Sequence, residues 1–178
     1  MQNYFWLPMK KTTLLLSTLI FSFNSLTFAQ ERPKHEVYSM MMFNFTRYVQ
    51  WPTETGSEFI IGILGNNDIY KTLTTWYSGK AKGNQTFVIK LFKTAAEVTD
   101  CAVVYIDNSK SFEFDAIKHK VSGKGTLIIT DKDGLGERGS SINFTTVDNK
   151  LKFELNQKAI ETSNLKVAGA LMAIAIII

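Results

Sequence analysis

Apolar residues recur with a helical period from His35 to Gln50. Val37, Met41, Phe45 and Tyr48 share one stripe, with Met40 and Phe43 beside it. Trp51-Pro52 closes the run, since a residue before proline disfavours the helical region. A period-free apolar run follows from Phe59 to Leu64 and ends on Gly65-Asn66-Asn67-Asp68, a turn that also offers a helix N-cap. Residues Ile69 to Tyr77 then read as a helix, Thr86 to Phe92 as a strand, and Thr94 to Val98 as a short helix. The runs Cys101–Ile106 and Gly125–Thr130 read as further strands, with a helix at Phe112–Val121 between them. Ser141–Val147 and Lys150–Leu155 alternate apolar and polar residues around Asp148-Asn149, the pattern of a β-hairpin. A short helix is expected over Asn156–Thr162. A longer one is expected over Val167–Ile178, a stretch so apolar that it should be buried in its own domain or against a partner.

Strands apolar on both faces and alternating with helices imply a parallel sheet covered on both sides. The expected fold is therefore α/β, a three-layer doubly wound (Rossmann-like), mostly parallel sheet with a C-terminal antiparallel hairpin and terminal helices. Residues 30–178 are expected to form a single domain.

The first 29 residues carry a different signal. Lys10-Lys11 precede an uncharged apolar run from Thr12 to Phe28 that closes on Ala29, the layout of a cleaved secretory signal peptide. Its removal takes away two of the 20 basic groups and none of the 16 acidic ones, leaving a formal charge of +2. The sequence pI near 9.1 thus overstates how basic the exported chain is, and no clustered Lys/Arg footprint for nucleic acid exists. Cys101 is the only cysteine, which excludes an internal disulfide. Lying in an apolar run, it reads as a small core residue rather than a nucleophile.

Catalytic constellations are scarce. Gly134-Leu135-Gly136-Glu137-Arg138-Gly139 spells GxGxxG, but the residues after it read as a strand where a dinucleotide fingerprint requires a helix. Gly79-Lys80 and Gly123-Lys124 lack the spacing of a phosphate-binding loop, and there is no GxSxG. His35 and His119 are far apart, and Asp131 with Asp133 sits in a turn, so neither a metal site nor a cofactor is expected. In open α/β sheets, however, ligands settle beyond the carboxyl ends of the strands. Here those ends carry Asn66, Asn67, Asp107, Asn108, Asp131 and Lys132, the candidate small-molecule site.

In order along the chain, several segments resemble the YfiR/HmsC-like family of periplasmic proteins. They are Phe43-Asn44-Phe45-Thr46-Arg47-Tyr48-Val49-Gln50-Trp51-Pro52, Ile60–Gly65, Cys101–Ile106, and Gly125–Asp133 followed by Gly139. The set continues through Ile142-Asn143-Phe144, Leu151–Asn156, Ala159 and Leu165-Lys166-Val167. The resemblance implies a non-enzymatic regulator that binds and represses the periplasmic sensory domain of an inner-membrane diguanylate cyclase, lowering cyclic-di-GMP and biofilm formation. Some members are thought to serve membrane histidine kinases instead. Two features depart from the family: there is no cysteine pair, and the last apolar segment lacks the basic and Ser positions expected there. Phe43, Tyr48, Trp51, Leu171 and Ile174 are the candidate partner contacts, and self-association of two copies is left open. The rival reading is a periplasmic small-molecule-binding module using the strand-end residues.

Overall fold

The computed structural model describes residues 32–52 and 56–178. The expected signal peptide and its cleavage site lie outside the described residues. Helix α1 (Lys34–Tyr48) leads into the two-residue strand β1 (Val49–Gln50). Next come β2 (Glu58–Leu64), α2 (Asn67–Tyr77), β3 (Ala81–Lys82) and β4 (Gln85–Phe92). Strand β5 (Val103–Ile106), α3 (Phe114–Val121) and β6 (Leu127–Thr130) continue the alternation. The chain then forms the hairpin β7 (Ile142–Val147) and β8 (Lys150–Leu155), α4 (Gln157–Thr162), β9 (Lys166–Val167), α5 (Gly169–Met172) and β10 (Ile176–Ile177).

Eight strands form one sheet in the order β10-β8-β7-β6-β5-β2-β4-β3. From β4 to β7 all neighbours are parallel, β7 pairs antiparallel with β8, and β10 pairs parallel with β8. The parallel run β4-β2-β5-β6-β7 has flavodoxin-like order, so its direction of growth reverses between β2 and β5. This is the expected α/β architecture.

The period-free strands are explained by what lies on either side of them. Ile61, Val103 and Leu127 align across three strands, as do Ile63, Tyr105 and Ile129. All of these face a core shared with Tyr38, Met42 and Phe45 of α1 and Ile69 and Leu73 of α2. The intervening residues Leu64, Val104, Ile106 and Ile128 point to a second core with Phe114, Ile117 and Val121. Every residue of β5 and β6 is thus buried on one side or the other. At the hairpin, Asp148 and Asn149 both take positive φ (51° and 58°), the geometry of a type I′ turn.

The terminal segment corrects the expectation of a long buried helix over Val167–Ile178. Val167 is extended and pairs with Val49, helix α5 lasts four residues, and Ile176-Ile177 add a strand beside β8. Side chains branched at Cβ fit a pleated edge better than a helix. Exposure also departs from expectation: Ile174 is 66% exposed, and Ile176, Ile177 and Ile178 are exposed as well. Two smaller differences are 3₁₀ turns, at Ala95–Glu97 in place of the short helix and at Asn108–Glu113 ahead of α3.

Candidate functional site

At the reversal point the ends of β2 and β5 are joined by the side chain of Asn66. Asn66 caps α2 by accepting from the Ile69 N–H at 3.0 Å, and its Nδ2 donates to Asp107 Oδ2 at 2.8 Å. Asp107 also accepts from the Ser109 N–H (3.0 Å) and hydroxyl (2.6 Å). Burial raises the affinity of Asp107 for a proton, but these bonds and the nearby charge of Lys34 outweigh it and hold the carboxyl below its ordinary range. One strand further on, Asp131 has a side chain only 3% exposed, and its Oδ2 accepts from Lys34 Nζ at 3.2 Å. Its Oδ1 and the Tyr105 hydroxyl are both buried, and the two side chains face each other. Burial, then the Asp131 and Asp107 charges, push the Tyr105 phenol far above its usual range. Lys34 also lies over the Tyr38 ring, 4.8 Å from its centroid. Burial lowers the Lys34 ammonium, but Tyr38 and Asp131 together raise it above its ordinary value.

Of the six strand-end candidates, Asn66, Asp107 and Asp131 therefore meet in one electrostatic neighbourhood. Lys132 turns away to donate to Ser111 Oγ at 3.0 Å, and Asn67 and Asn108 are exposed. Sequence reasoning missed Lys34, Tyr38 and Tyr105. Tyr105 carried a signal, being the one side chain with a polar tip in the β5 run; Lys34 and Tyr38 arrive only through the packing of α1.

The partner candidates come from both ends of the described chain and are brought to one region by β1 and β9. These strands pair Val49 with Val167 and Gln50 with Lys166, and the Ala168 N–H donates to the Tyr48 carbonyl at 2.8 Å. Tyr48 and Ile174 are exposed, whereas Leu171 is only 2% exposed and anchors the segment to the core. Phe43 stacks on Tyr77 at 3.8 Å, and Trp51 donates from Nε1 to the Ala102 carbonyl at 3.1 Å while meeting Phe59 edge-on. Beside them, at the amino ends of the parallel strands, lie two open cavities. One, of about 610 Å³, is lined by Trp51, Phe59, Lys82 and Lys124; the other, of about 840 Å³, by Phe43, Arg47, Trp51 and Phe87. Phe43 and Trp51 thus form the wall of a groove rather than a flat surface.

Among the described residues no three His, Cys, Asp or Glu side chains are placed to hold a metal ion, and no helix is long and apolar enough to cross a membrane. Comparison with curated proteins finds no match. Comparison with protein families finds one described as YfiR/HmsC-like, matching residues 35–176, which takes in every core strand, both helical layers and the terminal segment as far as β10. The chain belongs to the YfiR/HmsC-like family.

Proposed function

We propose that this chain is a periplasmic regulator that binds, and represses, the sensory domain of an inner-membrane diguanylate cyclase or sensor kinase. Membership in a regulatory family supports this reading. The observation that carries the contact surface is the exposed apolar terminal segment, Ile174 above all, joined to the end of α1 through Tyr48. Apolar area exposed as a contiguous patch marks interaction surfaces. In this reading Tyr48 and Ile174 touch the partner, Phe43 and Trp51 shape the groove beside it, and Leu171 holds the segment in place. Export through cleavage after Ala29 belongs to the same proposal, and intact-mass measurement of the periplasmic protein should give a chain beginning at Gln30.

The experiment is cross-linking and affinity purification of the tagged chain from its host's membranes, in parallel with Ile174→Asp and with measurement of cyclic-di-GMP in a deletion strain. Enrichment of one diguanylate cyclase or kinase, lost in Ile174→Asp, is the expected result. For a repressed cyclase, cyclic-di-GMP should rise on deletion. Recovery of neither class of enzyme, with unchanged cyclic-di-GMP across growth conditions, would remove the proposal.

A further inference from the structure

We propose that the open edge of β4, from Val88 to Phe92, takes up an extended segment of a partner protein by antiparallel strand addition, with an acidic residue of that segment set against Lys90. On one side β4 is paired with β2 from Glu58 opposite Thr86 to Leu64 opposite Phe92. On the other side β3 covers only Gln85 and Thr86. The chain just ahead of β3 reaches Phe87, whose carbonyl accepts from the Gly79 N–H and whose N–H donates to the Lys80 carbonyl, both at 2.9 Å. Backbone groups alternate in direction along a strand. The Thr86 N–H points to the β2 side, where it donates to the Ser57 carbonyl at 2.9 Å, so Phe87, Ile89 and Leu91 point outward. No described strand meets Ile89 or Leu91 there, and their N–H and C=O groups face the open edge.

Folded proteins blunt such edges with proline, a bulge, short strands or charge. Here there is no proline and the β2–β4 register is unbroken, so Lys90 is the only guard. Beside it Leu91 is 38% exposed, apolar area that a neighbouring strand would cover. Lys90 also decides what that neighbour is. A second copy pairing over Val88–Phe92 across a two-fold axis would match Ile89 with Leu91 and set Lys90 directly opposite itself, and like charges so placed destabilise a sheet. Lys90 makes no ion pair or hydrogen bond with any described residue, and an aspartate or glutamate opposite it supplies the missing partner. The segment that fits therefore alternates apolar, acidic, apolar, with its apolar residues on the face of Ile89 and Leu91 and its carboxylate on the face of Lys90. This edge and β10 lie at opposite ends of the sheet, so the inference stands independently of the partner surface proposed above.

A fluorophore-labelled peptide, Thr-Val-Glu-Val-Thr with both ends blocked, tests it by anisotropy titration against the purified chain. Saturable binding is expected. Paired antiparallel with its glutamate opposite Lys90, the peptide turns the N–H groups of both valines toward β4 and that of the glutamate away. N-methylation of the valines should therefore abolish binding, whereas N-methylation of the glutamate should leave it nearly unchanged. In Lys90→Glu the peptide should bind about fivefold more weakly, and its analogue with lysine in place of glutamate should regain the loss. No saturable binding up to millimolar peptide, equal losses from the two methylations, or an affinity indifferent to the sign of the charge at Lys90 would each overturn the proposal. So would dimerisation of the peptide-free chain that Leu91→Pro abolishes, because it would give the edge to a second copy.

Discussion

Replacement of Asn143 by Ala should destabilise the protein by about 3 kcal/mol. Asn143 is fully buried on β7, and its amide joins three elements. Its Oδ1 accepts from the Thr130 hydroxyl of β6 at 2.7 Å, and its Nδ2 donates to Glu154 Oε2 of β8 at 2.9 Å. The bond to the carboxylate contributes more, about 1.5–3 kcal/mol, and the neutral one adds about 1 kcal/mol. Thr130 is partly protected, because its hydroxyl can turn to Ser140 Oγ at 2.9 Å. Glu154 loses the side-chain donor that β7 gives it. Urea unfolding, followed by tryptophan fluorescence, should show an unchanged slope and a midpoint lower by about 1.5 M, taking a slope near 2 kcal/mol/M. Asn143→Asp retains the shape but sets a second carboxylate against Glu154. It should be at least as damaging at pH 7 and partly recover as the pH falls through the carboxylate range. A loss below about 1 kcal/mol for Asn143→Ala would mean that this network contributes no more than a surface hydrogen bond.

Three further outcomes follow from the same structure. A Cβ at Gly62 would come within 2.5 Å of the Phe92 ring in the second core, so Gly62→Ala should cost about 1–3 kcal/mol through overpacking; an unchanged melting temperature would refute that packing. Burial pushes the Cys101 thiol up to about 12, so the native chain at pH 8 should resist alkylation that goes to completion in denaturant, and fast native labelling would contradict the burial. Asp107 titrates below its ordinary value when folded, so its contribution to stability is complete above about pH 4 and is lost as the pH falls through the folded pKa. Asp107→Asn should accordingly be less stable than wild type at pH 7, with the gap closing in acid; a gap that widens in acid would reverse the sign of this argument.

The parts of the fold legible in the sequence are those in which local pattern and tertiary environment agree. The runs at Phe59–Leu64 and Cys101–Ile106 have no polar face because both of their faces are covered, and Asp148-Asn149 specifies its turn through its own backbone preference. The terminal segment failed for the opposite reason. Twelve consecutive apolar residues contain no periodicity, so the choice between helix and strand falls to pairing with β8 and with β1, neither of which is local. Asn143 shows a related limit. Strict alternation puts it opposite Ile142 and Phe144 on the solvent face, yet Thr130, Ser140 and Glu154 close over that face and make it core. At the strand ends, the reversal-point rule finds Asn66 and Asp107 but is blind to Lys34 and Tyr38, which come from a helix outside the strand–helix alternation.

Helix α1 runs from one candidate site to the other. Lys34, at its start, pairs with Asp131, and Tyr48, at its end, receives the terminal segment; 15 residues place them about 20 Å apart. A rod with a site at each end invites the idea of a lever, but its middle argues against one. Met42 is fully buried, Tyr38 stacks on Phe144 at 4.1 Å, and Phe45 packs on Phe153 at 5.1 Å. Moving the helix as a body would break these contacts in the close-packed core, a far larger cost than the release of one exposed lysine. Lys34 can therefore leave Asp131 by rotating its own side chain while α1 stays seated. For this reason the Lys34–Asp131 ion pair and the partner surface can be perturbed separately, and neither result prejudges the other.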